Sequence, residues 1–145
     1  MQIKTPGKDI SYADALVDVL YLFNQSEEHL GYCLFEFNAY AVYPMIHGKM
    51  RMFYQDDKPI GVVTWAYLPQ DKAEKFFENA YMLDEEDYVA EDGYQLWGIE
   101  FIAPYGNVRQ IMKAMKQVYY DLYQQPKRSV HWKRLTNDKH CRGTF

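Results

Sequence analysis

The sequence predicts an α+β domain, or a three-layer one, in which a mixed sheet is flanked by helices. Three observations predict it. Apolar residues recur at helical spacing in two long stretches, near 12–24 and 108–123. Short strand-like runs occupy 49–54, 60–67, 95–102 and 129–135. The two kinds of segment follow one another as helices, hairpin, helix, strand, helix and strand. At 145 residues the chain has the length of one domain, 1–145, able to bury its own core.

Residues 1–9 are polar, contain Pro6-Gly7 and are expected to fray. Ser11 can cap the first helix, with Asp14 three residues on. Tyr12, Ala15, Leu16, Val19, Leu20 and Phe23 then mark a helix to about Asn24, and Ser26 to His29 follow as a turn. In residues 33–46, Leu34, Phe37, Ala41 and Met45 suit a helix that Pro44 should end or kink. Gly48 closes it. Lys49 to Tyr54 and Ile60 to Tyr67 form a hairpin around Gln55-Asp56-Asp57-Lys58.

Asp71 to Asn79 is a short helix, and 84–92 an acidic loop or irregular helix. Gln95 to Ile102 is the third strand. Asn107 can cap a helix from Val108 to Tyr123, with Ile111, Met115, Val118 and Leu122 on one face. Ser129 to Leu135 is the last strand, before a basic and loose end. Within the third strand, alternation puts Glu100 on the face of Gly98 and Ile102, with Gly98 leaving room for a close approach.

Composition narrows the function. A net charge of -4 argues against general nucleic-acid binding. Residues 84–92 carry six acids and no base, whereas Lys127, Arg128, Lys133, Arg134, Lys139 and Arg142 face only Asp138 after 126. Both stretches read as solvated segments, or the basic one as a dock for an acidic partner. Cys33 and Cys141 do not make a disulfide framework, which points to a reducing compartment. The N-terminus lacks an apolar signal region, and no run reaches the roughly 18 apolar residues of a membrane span. A cytoplasmic protein without a membrane span is expected. Aromatics at 17% imply either a Tyr-rich core and surface, or an apolar groove or partner surface.

The candidate chemistry centres on Glu100. It sits among Trp97, Ile99, Phe101 and Ile102, and a buried carboxylate is costly unless paired. The bland alternative is a solvent-facing strand carboxylate. A histidine is a natural partner, and His29 stands beside Ser26, Glu27 and Glu28 at the end of the first helix. A carboxylate that aims an imidazole is the core of many acyl-transfer sites. His47 reads as a turn residue and His131 as packing beside Trp132. His140-Cys141 has no second pair at ligand spacing, so no metal is expected. No P-loop, G-x-S-x-G or G-x-G-x-x-G is present, and the lone Gly106 after the third strand is a poor cradle for a pyrophosphate.

Trp97-Gly98-Ile99-Glu100-Phe101-Ile102-Ala103-Pro104-Tyr105-Gly106 resembles the W-x-I-D-W-I-A-P-F-G segment of the toxin-activating lysine acyltransferases, the group that activates RTX toxins. Ser26-Glu27-Glu28-His29 is similar to that family's S-P-x-H. Asp56-Asp57-Lys58-Pro59-Ile60, with Val63 to Leu68, is similar to its D-D-x-P-V-A-Y-C-S-W-A-x-L hairpin. The three segments run in register from about Ala13 to Gly106. Glu100 replaces the family's aspartate, and Leu30-Gly31-Tyr32-Cys33 stands where the family has a Trp-Pro pair after the histidine.

The resemblance implies a GNAT-like fold and a cytoplasmic enzyme. Its reaction would move a fatty acyl group from acyl-acyl carrier protein, a co-substrate and not a cofactor, to internal lysines of a large protoxin or contact-dependent toxin. His29 falls on the catalytic histidine, Glu100 on the catalytic aspartate, and Ser26 on a serine near the histidine. In that role His29 is the general base and Glu100 holds its tautomer. Partners are then acyl carrier protein and the protoxin, with a homodimer left open. The rival is a non-catalytic immunity or chaperone protein bound to a neighbouring toxin, since fold does not fix function. An enzyme using acyl-coenzyme A is a third reading, weakened by the single glycine.

Overall fold

Six strands form one open sheet in the order β1-β2-β3-β4-β5-β6. The structure is a computed structural model and describes residues 1–90, 94–125, 128–134 and 137–145. The strands are β1 (Gln2–Lys4), β2 (Met50–Gln55), β3 (Lys58–Leu68), β4 (Gln95–Ile102), β5 (Ser129–Arg134) and β6 (Lys139–Thr144). All neighbours are antiparallel except β4 and β5. A parallel pair needs a crossover, and α5 (Val108–Tyr123) supplies it.

Helix α1 (Tyr12–Asn24) begins where Ser11 Oγ accepts the N–H of Asp14 at 3.1 Å. A 3-10 turn, Glu27–His29, follows. Residues 34–46 are helical throughout, as α2 (Leu34–Phe37), a π turn (Asn38–Val42) and α3 (Tyr43–Ile46). Pro44 does not end this run; the helix departs into π geometry just before it. Pro44 itself lies in the first turn of α3, where its missing N–H is not needed. The hairpin turn is tight because Asp56 and Asp57 both take positive φ, 49° and 61°. Helix α4 (Gln70–Phe77) and a 3-10 turn (Glu85–Tyr88) lie between β3 and β4.

Each face of the sheet has its own core. Leu22, Phe23, Met45, Met50, Met52, Val62 and Ile102 pack under α1 and α3, and Ala66, Leu68, Leu83, Tyr88 and Trp97 continue that layer. Phe53, Val63, Trp65, Leu96, Ile111, Met115 and Tyr119 pack under α5 on the other side. Gly61 permits the closest approach, since a Cβ there would lie 2.4 Å from Ile111 Cδ1. The helix lengths and β4 agree with the sequence reading, but the buried face of α5 turns further. Tyr119 is buried, whereas Leu122 is 44% exposed, because the helix follows the 111–115–119 stripe. Asn107 occupies the N-cap position without capping. Its Nδ2 donates to Gln110 Oε1 instead, at 3.3 Å.

Both chain ends are corrected too. Gln2–Lys4 pairs with Met52–Tyr54, and Lys139–Thr144 pairs with the whole of β5. Neither end is frayed, because each finds a partner strand whose backbone bonds need no apolar pattern. Glu91 and Asp92 of the acidic stretch, Lys127 of the basic stretch and Leu135 at the predicted end of β5 lie outside the described residues.

Candidate active site

The end of α1 and the middle of β4 converge on one buried point. After Asn24 the chain makes its 3-10 turn, and the His29 N–H donates to Ser26 O at 3.0 Å. This turn swings the His29 ring inward, edge-on to Phe23 with centroids 5.0 Å apart. Only 5% of His29 remains exposed.

Strand β4 meets it through a bulge. Glu100 pairs with Thr64 and Gly98 with Trp65, so Ile99 is the extra residue. The bulge breaks the alternation. Glu100 therefore does not share a face with Gly98, as simple alternation predicts; Gly98 falls on the Trp65 side and Glu100 on the Thr64 side. The Glu100 N–H donates to Thr64 Oγ1 at 3.1 Å, which fixes the bulge.

Four side chains then form a line. Glu100 Oε2 lies 2.6 Å from His29 Nε2, and His29 Nδ1 lies 2.6 Å from Ser26 Oγ. Tyr32 Oη donates to the other carboxylate oxygen, Oε1, at 2.7 Å. A carboxylate only accepts, so Nε2 carries the imidazole proton and Nδ1 accepts from the Ser26 hydroxyl. Ser26 also lies 3.2 Å from Glu28 Oε2, a longer alternative for its proton. Burial and then the charge of Glu100 push the Tyr32 phenol far above its ordinary pKa. The same two causes push Tyr40 up to about 12, and raise Tyr88 well above the usual value. Three neutral phenols thus surround one carboxylate.

A cleft of about 800 Å³ opens on this point. Ser26, His29 and Glu100 line it, as do Met112, Met115 and Tyr119 of α5. Its lining draws on both faces of the sheet, where β4 and β5 pair, among the described residues, only at Leu96↔Val130 and Trp97↔His131. Beyond Trp97 the strands part, and residues 98–104 form a wall. Lys133 and Arg134 lie along the same cleft.

The other candidates stand apart. His47 bonds Glu85 Oε1 at 2.9 Å on the surface. His131 Nδ1 and His140 Nε2 lie 3.0 Å apart, both stacked on Trp97. Cys33 and Cys141 are free thiols. Among the described residues no group of three or more His, Cys, Asp or Glu side chains could hold a metal ion, and no helix is long and apolar enough to cross a membrane. Sequence reasoning missed Tyr32 and Thr64. The signal for Tyr32 was its spacing, three residues after His29 in a tight turn; the signal for Thr64 lay only in the pairing of β3 with β4.

The chain is 26% identical over 106 residues to the protein-lysine myristoyltransferase RtxC of Kingella kingae, covering 73% of this chain and 62% of that protein. It is 30% identical over 107 residues to the leukotoxin-activating lysine-acyltransferase LtxC of Aggregatibacter actinomycetemcomitans, covering 72% and 62%. An uncharacterized protein of Synechocystis is 26% identical over 126 residues, covering 85% and 80%. The chain thus spans less than two thirds of the length of the two named acyltransferases. Residues 8–142 match the RTX toxin acyltransferase family, and the chain belongs to that family.

Proposed function

We propose that this chain is a protein-lysine fatty acyltransferase that takes its acyl group from acyl-acyl carrier protein and activates a large secreted protoxin or contact-dependent toxin. The observation that carries the reading is the Ser26–His29–Glu100 line on a cleft lined from both faces of the sheet. Relatives named as lysine acyltransferases and a myristoyltransferase support it. The parted β4–β5 pair supports the GNAT-like reading of the fold.

Two substrates can approach such a cleft from opposite faces. The thioester enters from the α5 side, with its acyl chain against Met112, Met115 and Tyr119. The lysine enters from the side of His29. Its free pKa is about 10.4, so at neutral pH it must lose a proton to attack. His29 Nδ1 is the basic atom, reached directly or through the Ser26 hydroxyl, and general-base help contributes roughly 10²–10⁴-fold. Glu100 holds the tautomer and stabilises the imidazolium.

One ammonium proton goes to solvent before attack; the amine nitrogen then bonds to the thioester carbonyl carbon and passes a second proton to His29, the C–S bond breaks, and the thiolate leaves with that second proton. Negative charge on the carbonyl oxygen needs a donor. The Glu100 N–H is taken by Thr64 in β3, so strand alternation turns the N–H of Phe101 to the open edge, where it can serve. The reaction takes place in the cytoplasm, on a carrier protein docked at the rim of Lys133 and Arg134.

The test is co-expression with a large toxin from the neighbouring genes and mass spectrometry of the toxin's lysine peptides. The parent should add a fatty acyl group to internal lysines. His29→Ala and Glu100→Gln should fold, bind the toxin and acylate it at least about 10²-fold less. A parent that binds a toxin domain tightly and never acylates it would return the protein to an immunity or chaperone role.

A further inference from the structure

We propose that Tyr32 is a positioning residue of this reaction, clamping Glu100 so that a single carboxylate oxygen is presented to His29. The inference rests on the acyltransferase reading of the site. A glutamate has one more rotatable bond than an aspartate, and a loose one holds an imidazole poorly. Here Glu100 is anchored at three points: its N–H on Thr64 Oγ1, Oε1 under the Tyr32 hydroxyl, and Oε2 on His29 Nε2. Without Tyr32, both oxygens compete for one N–H.

Tyr32 is built for this. Its N–H donates to His29 O at 3.2 Å, so one tight turn delivers both the base and the clamp on its carboxylate. Its ring packs 5.0 Å from His29, 5.7 Å from Phe23 and 6.1 Å from Tyr40. Burial and the Glu100 charge keep the phenol protonated, so it donates at every working pH. The other titratable groups near Glu100 are few. Tyr40 faces it from the π turn, and Tyr88 from the second 3-10 turn commits its hydroxyl to Ala39 O at 2.7 Å. Glu36 of α2 acts on Tyr32 and Tyr40, and Glu28 lies beyond Ser26 on the far side of His29.

Tyr32→Phe tests the proposal, because it keeps the packed ring and removes only the hydroxyl. The variant should lose about tenfold in kcat, with KM for carrier and acceptor within about twofold. The acid limb of its pH–rate profile should move to higher pH. Freeing Oε1 leaves more negative charge facing the imidazolium and makes the carboxylate easier to protonate, and both withdraw the working pair as pH falls. The proton resonance of His29 Nε2–H should move away from its parental position. Circular dichroism checks the fold.

A parental kcat overturns the proposal. So does a lower kcat with parental acid limb and parental resonance, which would make Tyr32 a packing residue. His29→Ala in the same assay separates the two readings, for its retained activity would remove the base and leave the clamp without a reaction. If the parent acylates nothing, the resonance decides alone: moved, Tyr32 positions the pair; unmoved, it does not.

Discussion

Two histidine clusters lie against β4, and they differ in what faces the ring. His29 meets Glu100 at 2.6 Å and opens on a cleft. His131 meets His140 at 3.0 Å, and both stack on Trp97, three residues before Glu100 on the same side of the sheet. Imidazole is the same in both, so the partner decides the chemistry. A carboxylate fixes the tautomer and welcomes the charge that a base acquires. A second imidazole beside an arginine does the reverse. Burial first, then His140 and Arg142, hold the His131 ring below its ordinary pKa. On the proposed reading the first cluster serves the reaction as its base, whereas the second resists a proton.

The largest effect that can break this contrast is on acylation. His29→Ala should remove at least about 10²-fold, whereas His131→Phe and His140→Phe should stay within about twofold of the parent. The His29→Ala/Glu100→Gln double variant should be scarcely worse than either single one, since the pair acts as a unit. Peptide mass spectrometry after co-expression reads the parent and all five variants. Equal losses from the His131 or His140 variants would mean that the second cluster also serves the reaction.

The two clusters were not equally legible. His29 and Glu100 were readable because each was anomalous where it stood: a carboxylate among Trp97, Ile99 and Phe101, and a histidine after a capped helix. The cost of an unpaired buried carboxylate already suggested joining them, and the motif resemblance pointed to the same pair and to Ser26. The bulge at Ile99 was not readable, because it is set by the register of β3 on β4 and not by β4 itself. The His131–His140 pair was hidden for a related reason. Its two members meet only because Lys139–Thr144 folds back on β5, and Lys-His-Cys-Arg-Gly-Thr has no apolar alternation to announce a strand. Edge strands are held by backbone bonds to a neighbour, which a local pattern does not encode. In the fold, likewise, helices with a strong stripe were legible, and π-turn geometry around Pro44 was not.

The same hairpin offers an intermediate effect. Besides His131 and His140, it carries Lys133 and Arg134 to the cleft. Lys133 Nζ is held by Asn79 Oδ1 at 2.8 Å and lies 3.3 Å from Asp138. Two arginines of the basic end are engaged elsewhere: Arg142 donates to Ser129 Oγ at 3.0 Å, and Arg128 lies over the Tyr67 and Tyr123 rings. If an acidic carrier docks at this rim, Lys133→Glu/Arg134→Glu should weaken its binding about tenfold at low salt. The gap should close with added salt, as the screening length falls from about 10 Å at 0.1 M to about 3 Å at 1 M. Binding of acyl carrier protein by calorimetry measures it. Equal, salt-insensitive binding by both proteins would move the dock elsewhere and leave the hairpin with a packing role alone.

The smallest effect concerns stability. A histidine held below its ordinary pKa binds a proton less readily folded than unfolded. The unfolded chain charges as pH falls through about 6.5. The folded His131 stays neutral to a lower pH, so the unfolded state binds more protons in that window, and acid lowers stability. Below the folded pKa both states are charged and the loss is complete. His131→Phe keeps a ring on Trp97 and removes the titration, so its Tm should fall less steeply than the parent's between pH 6.5 and 5. The difference is small, because His131 is only half-buried and solvent screens its neighbours. Thermal melts at matched ionic strength measure the two slopes. Identical slopes would mean that His131 takes up its proton as easily folded as unfolded, and the two clusters would then differ in access to the cleft and not in their appetite for charge.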